Sequence, residues 1–242
     1  MQKAYKLLAA QKNLSHSQAK ALIDKGLVLA NGKKLTLART ELPQNTSFSL
    51  MEIQKPQVLF ADENLLAIDK PAFIESYDLQ SHYQNDGWVL LHRLDRETSG
   101  VILLTQEGSA FSKKAKEAFK KREVYKEYQA IVSGIIAESF SINKPISTIK
   151  RGFARSKIDK NGQEAITHIE PLSVVGKKTL LKVVIPTGRT HQIRVHLSSL
   201  HHPIIGDSLY GGVSARRLLL HAHKIRLLGY EIISALPREF GL

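Results

Sequence analysis

Apolar and polar positions follow two different rhythms along this chain. In the first fifty residues Ala19, Leu22 and Ile23 mark one helical face. Ser15 and Gln18 form an S-x-x-Q capping box ahead of that face, and Gly26 supplies the stop. "LVLA" and "KKLTL" read as short extended runs joined by Asn31-Gly32, a hairpin signal because both residues tolerate positive φ. Around "MEIQKPQ" the helical pattern ends, and Pro56 marks a linker.

Beyond the linker, strand signals dominate. "VLFADENLLAIDKP" is a pair of apolar runs about a polar turn, and "WVLLH", "VILLT" and "LLKVVI" each read as a strand, with Thr98-Ser99-Gly100 turning into the second. In "REVYKEYQAIVSG" a period of two puts Val124, Lys126, Tyr128, Ala130 and Val132 on one face. Helices lie between these strands. "SAFSKKAKEAFKKR" turns Phe111, Ala115 and Phe119 inward and Lys113, Lys116 and Lys120 to another side. After Gly188 turns the chain, Ile193, Leu197 and Leu200 define a further helical face. The pattern predicts an α+β protein: a small helical and hairpin module over residues 1–52, and a domain on a largely antiparallel, mixed sheet over 57–242.

The charge balance narrows the partners. Lys and Arg outnumber Asp and Glu by 35 to 22, a formal charge of +13, so the field of the molecule attracts polyanions such as nucleic acid or an acidic membrane. No apolar run approaches the roughly 20 residues of a membrane span, and "MQKAYKLLAAQKN" lacks the features of a signal peptide, so a cytoplasmic protein is expected. With no cysteine, disulfides, thiolate catalysis and thiolate zinc sites are excluded. Lys12, Lys20, Lys25, Lys33 and Lys34 of the first module read either as a phosphate-contacting face or as a solvated surface.

Three stretches carry candidate chemistry. "HRLDRETSG" sets Asp95 between Arg93 and Arg96 in a tight loop at a sheet edge, where a guanidinium favours the charged carboxylate. That suits a nucleophile or base, and equally a plain loop ion pair. Tyr128 is a core residue unless its face opens onto a cleft, where the ring could stack on a base. "PTGRTHQIRVHLSSLHHPIIGDSLYGG" offers Arg189 and Arg194 to an anion or carboxylate. Six of the ten histidines fall between His191 and His223, which raises a His-ligated metal hydrolase as a rival, but no H-E-x-x-H spacing accompanies them.

Two resemblances join these pieces. "LSHSQAKALIDKGLVLANGKKL" resembles the small RNA-binding domain named after ribosomal protein S-four, with His16 where that family usually has Arg. "HRLDRETSG", "KEYQAIV", "GRTHQIRVH", "HPIIGDSLYGG" and "LHAHKIRL" resemble, in order, the motifs of the RluA-type pseudouridine synthases across residues 58–228. That resemblance implies isomerisation of uridine within RNA, with Asp95 as the essential aspartate and Tyr128 touching the target base. It also implies that Arg194 pairs with the aspartate, Leu220 lines the pocket and Arg93 fills the space left by the flipped base.

An ionised Asp95 could attack the base, attack C1′ or abstract a sugar proton. No cofactor and no metal are implied, because the reaction involves neither net redox change nor hydrolysis. The expected partner is RNA, most simply large-subunit ribosomal RNA, bound by a monomer. Transfer RNA as substrate and a non-catalytic assembly factor are the alternatives. Lys20, Lys25, Lys33, Lys113, Lys116 and Lys120 are the candidate RNA contacts. One departure stands out: where the family commonly reads K-P-x-G followed by H-P, this chain has "KPAFIESYDLQSH", with Phe73 in place of the glycine.

Overall fold

A computed structural model describes residues 1–151 and 153–241. Helix α1 (Ala4–Lys12) and helix α2 (His16–Asp24) pack on a three-stranded sheet in which Val28–Ala30 pairs with Lys33–Lys34 on one side and Phe48–Leu50 on the other. The Ser15 hydroxyl accepts from the Gln18 N–H and the Gln18 side chain accepts from the Ser15 N–H, so the capping box is closed. Asn31 and Gly32 take φ of 49° and 76°, as a primed hairpin turn requires. Ala4, Leu8, Ala19, Ile23, Val28 and Phe48 form a separate small core. Helix α1 is not evident in the sequence because Lys3, at its cap position, makes no side-chain cap bond. Residues 51–56 carry no regular structure.

The rest of the described chain is organised on a ten-stranded sheet. Its path runs through Phe140–Asn143, Ile166–Val175, Lys178–Val184, Tyr125–Ser133, Leu220–Leu227, Ser99–Gln106, Leu65–Lys70 and Gln57–Ala61. Trp88–Leu90 adds to Ser99–Gln106, and Tyr230–Ile233 to Leu220–Leu227. Every pairing is antiparallel except the central one, Ser99–Gln106 beside Leu220–Leu227, which matches the mixed sheet expected from the sequence.

That parallel junction is short and tight. His221 is opposite Ser99 and Ala222 opposite Gly100; a Cβ at Gly100, whose φ is 111°, would lie 2.2 Å from the Ala222 carbonyl oxygen. Ser99 and Gly100 are therefore inside the strand. The turn that precedes it is Asp95 to Thr98, closed by the Thr98 N–H donating to the Asp95 carbonyl at 3.0 Å, a shift of the turn expected at 98–100.

Strand alternation sorts the apolar side chains to two faces. Val101 and Leu103 join Leu65, Ala67 and Ile225 under helix α4 (Ala110–Lys121). The buried stripe of α4 is Ser112, Ala115 and Ala118, with Phe111 and Phe119 half-buried at its flanks, so its inward face is rotated from the one read in the sequence. Ile102 and Leu104 face the other way, with Tyr128, Ala130 and Val183, where they meet helix α3 (Ser76–Ser81) through Leu79 and helix α5 (Gln192–Ser198) through Ile193 and Leu197. Leu200 falls beyond α5 and is half-buried. Val124 packs under α4, apart from Tyr128.

Candidate active site

A cleft of about 1430 Å³ lies between the small N-terminal module and the face of the sheet that carries α5. Arg93, Asp95, Tyr128, Arg194 and Leu220 all line it, although they come from four separate stretches of chain. Of the candidate lysines only Lys120 joins them; Lys20, Lys25, Lys33, Lys113 and Lys116 lie outside the cleft. Lys25, Lys33, Lys113 and Lys116 are exposed, and Lys20 stands over the Tyr5 ring at 4.5 Å.

The Asp95 loop is fixed from beneath. Lys70 ends the Leu65–Lys70 strand with no exposed surface, and its ammonium donates to the carbonyls of Pro71, Ile74 and Arg96 at 3.0, 2.9 and 3.2 Å. The Phe73 N–H donates to the Arg96 carbonyl at 2.7 Å. Phe73 holds φ of 72°, so the left-handed turn that a glycine would adopt freely is kept with a phenylalanine in it. Lys34, expected on a phosphate-contacting or solvated face, is instead buried against Glu97, which it reaches from the N-terminal module. The sequence gives no sign of this pair because the two residues are far apart in the chain.

Burial lowers the Lys70 ammonium to about 7, against a partly compensating pull from Asp95. An unfolded lysine stays protonated to about pH 10.4, so this depressed group costs stability most below pH 7 and ceases to cost any above the unfolded value. Stability of the wild type relative to Lys70→Met is therefore expected to rise on the order of 1 kcal/mol per pH unit between about pH 7 and 10. Urea unfolding of both proteins at pH 7 and 9 measures this; parallel pH dependences would refute it.

Arg194 on α5 is the electrostatic hub. Its Nε and Nη2 donate to Oδ2 and Oδ1 of Asp207 at 2.7 and 2.9 Å, and its Nη1 to Oδ2 of Asp95 at 3.3 Å. Burial works against the guanidinium charge, but the hydrogen-bonded Asp207 carboxylate outweighs it and the net shift of Arg194 is upward. Asp207 is fully buried and also accepts from the N–H groups of Leu209 and Tyr210. It stands inside the quoted "HPIIGDSLYGG", yet sequence reading did not single it out. Asp207 is the one acid between Glu170 and Glu231, and that was the available signal, since a buried carboxylate needs a partner.

The Tyr210 ring lies 5.2 Å from the Arg194 guanidinium carbon, and its hydroxyl is 2.9 Å from His191 Nδ1. His191 Nε2 is 3.8 Å from Asp95 Oδ2, and burial lowers the pKa of this imidazole. Asp95 thus has Oδ2 turned toward Arg194 and His191, while its Oδ1 carries no hydrogen bond among the described residues. Its side chain is 25% exposed, enough to face a bound molecule. Tyr128 is buried in the floor, where burial and then the Asp95 charge raise its phenol pKa. Leu220 is buried beside it in the same apolar cluster. Arg93 is exposed, 5.6 Å from the Tyr77 ring centre.

Most of the other histidines between His191 and His223 are engaged in hydrogen bonds apart from Asp95. His196 bonds to Thr167 and the Lys144 carbonyl, His202 to the Ser133 carbonyl and His221 to Ser99. Among the described residues no three of His, Asp and Glu converge as metal ligands would.

Comparison with known proteins decides the family. The family described as RNA pseudouridylate synthase matches residues 50–199. The chain belongs to the RNA pseudouridine synthase family. It is 64% identical to an "Uncharacterized RNA pseudouridine synthase" of Helicobacter pylori (strain J99), with 100% of both chains covered. It is 28% identical to the "Ribosomal large subunit pseudouridine synthase D" of Vibrio cholerae, over 83% of this chain and 70% of that one. Among solved structures, "Human RNA Pseudouridylate Synthase Domain Containing 1" is similar at 26% identity and a TM-score of 0.66, covering 77% of this chain and 84% of that chain. The synthase is an isomerase that modifies RNA, and among its described residues no helix is long and apolar enough to cross a membrane.

Proposed function

We propose that Asp95 is the essential residue of this pseudouridine synthase and that its target lies in large-subunit ribosomal RNA. The reaction breaks the N1–C1′ bond of uridine, turns the base and forms a C5–C1′ bond; a proton leaves C5 and one is gained at N1. One observation carries the reading: Asp95 has one oxygen anchored by a guanidinium and the other open to a cleft floored by Tyr128. A base displaced from its stack would meet the apolar floor of Tyr128 and Leu220, with the carboxylate at its edge. Arg93, exposed at the rim, is the residue placed to enter the vacated stack.

The N-terminal fifty residues act as the ribosomal-protein-S-four-like RNA-binding domain, with Lys20, Lys25 and Lys33 along one backbone and Lys113, Lys116 and Lys120 of α4 along another. The formal charge of +13 supports broad RNA binding by a cytoplasmic monomer. The name of the Vibrio cholerae relative supports the ribosomal target.

Site-resolved pseudouridine mapping of total RNA from cells with and without the gene tests the target. The expected result is loss of one or a few signals confined to large-subunit ribosomal RNA. Loss confined to transfer RNA would replace the target, and no loss in any RNA would favour an assembly factor that does no chemistry.

A further inference from the structure

The wall of the cleft nearest α4 holds a group of cations that the Asp95–Arg194 pair does not use. Lys126 sits two residues before Tyr128 on the Tyr125–Ser133 strand, about 7 Å along the backbone; the pairing with Leu220–Leu227 shifts register between Glu127 and Tyr128, and both residues line the cleft. Arg122, just past α4, and Arg189, just past the Lys178–Val184 strand, line the same wall.

These three are poorly balanced by acid. Glu164 accepts from Arg122 Nη2 at 2.7 Å, and its backbone carbonyl accepts from Arg189 Nε at 3.0 Å. Lys126 has no carboxylate within 4.0 Å among the described residues; its one protein partner is the Pro186 carbonyl, at 3.5 Å. Two other cations of the cleft are paired: Lys34 with Glu97 and Arg96 with Glu75. Gly188 borders the Lys126 ammonium, which an added Cβ would meet at 3.6 Å. Burial, then the charges of Arg189 and Arg122, lower this ammonium to about 8. A half-buried cation held among like charges is costly until an anion arrives.

We propose that Lys126, Arg122 and Arg189 form a subsite for the RNA phosphodiester adjoining the uridine seated at Tyr128. The strand spacing of about 7 Å is of the order of the distance from a base to its own backbone, which is why a phosphodiester fits better than a protein carboxylate. This inference rests on the proposed seating of the uridine against Tyr128.

The test is a double-mutant cycle between protein and RNA, read as the Kd of a short oligouridylate by fluorescence anisotropy. The oligonucleotide carries a neutral methylphosphonate at each linkage in turn. For the wild type, one linkage is expected to cost about tenfold in affinity, the weight of one charge-assisted contact. Lys126→Met is expected to lose about tenfold on the native strand and nothing further at that linkage, and Lys126→Arg to regain most of the loss. Arg189→Gln, on the rim of the cleft, should show the same coupling and serves if Lys126→Met does not fold. Equal losses by Lys126→Met on native and neutral linkages overturn the subsite, as does a wild type indifferent to every methylphosphonate. Coupling at one linkage in a strand whose binding ignores Tyr128→Ala would keep the phosphate contact and overturn the seating of the base.

Discussion

Asp95→Asn is expected to lower pseudouridine formation by about 10³-fold or more while leaving RNA affinity within about threefold of wild type. The asparagine has the size of the aspartate and keeps an oxygen for Arg194 Nη1, which donates at 3.3 Å in the native site. Arg194 itself stays in place, because two of its nitrogens are held by the buried Asp207 whatever occupies position 95. What disappears is the charge on the open oxygen. Attack on the base, attack on C1′ and abstraction of a sugar proton all need that charge, so the loss does not depend on which route operates. Two readouts separate chemistry from binding: adduct-based pseudouridine mapping after re-expression in cells lacking the gene, and the Kd for the same RNA. Wild-type levels of modification in the Asp95→Asn strain would remove Asp95 from the reaction.

Local features were legible in the sequence where the physics is local. Ser15 with Gln18 and Asn31 with Gly32 act within a few residues, and the structure holds both as read. The gathering of Arg93, Asp95, Tyr128, Arg194 and Leu220 at one cleft was legible only through the order of motifs, since no periodicity links a turn, two strands and a helix. Features set by distant partners were not. Lys34 looked like a surface lysine because Glu97 lies 63 positions away. The hairpin of Ile146–Arg151 and Phe153–Ile158 escaped because Lys-, Arg- and Ser-rich strands lack the apolar alternation of a half-buried sheet. Arg189 and Arg194 looked like an equivalent pair of anion holders, yet Arg194 is occupied by two carboxylates and Arg189 by one backbone carbonyl. Which arginine is left for RNA is decided by burial, which the sequence does not display.

Arg194→Met is expected to unfold more easily by about 3–5 kcal/mol, a fall in Tm on the order of 10 °C for a chain of this size. The reason is Asp207, which has no exposed surface and would lose its cation, leaving only the Leu209 and Tyr210 N–H groups to face it. Adding Asp207→Asn to that variant removes the stranded charge while keeping an oxygen for those two N–H groups. The double variant should therefore regain about 2–3 kcal/mol of the loss, a coupling large enough to read from urea or thermal unfolding.

Activity should not return with it, because Asp95 still lacks the guanidinium that fixes its Oδ2. Stability and catalysis thus separate at one residue. The Asp207 contacts carry the folding energy, being buried and short, while the 3.3 Å contact to the partly exposed Asp95 carries the positioning. If Arg194→Met matched the wild type to within about 1 kcal/mol, or if the second substitution gave no recovery, the buried charge would not be the source of the cost. If the double variant formed pseudouridine at the wild-type rate, Asp95 would need no cationic partner, and the pairing across the cleft would be a feature of folding alone.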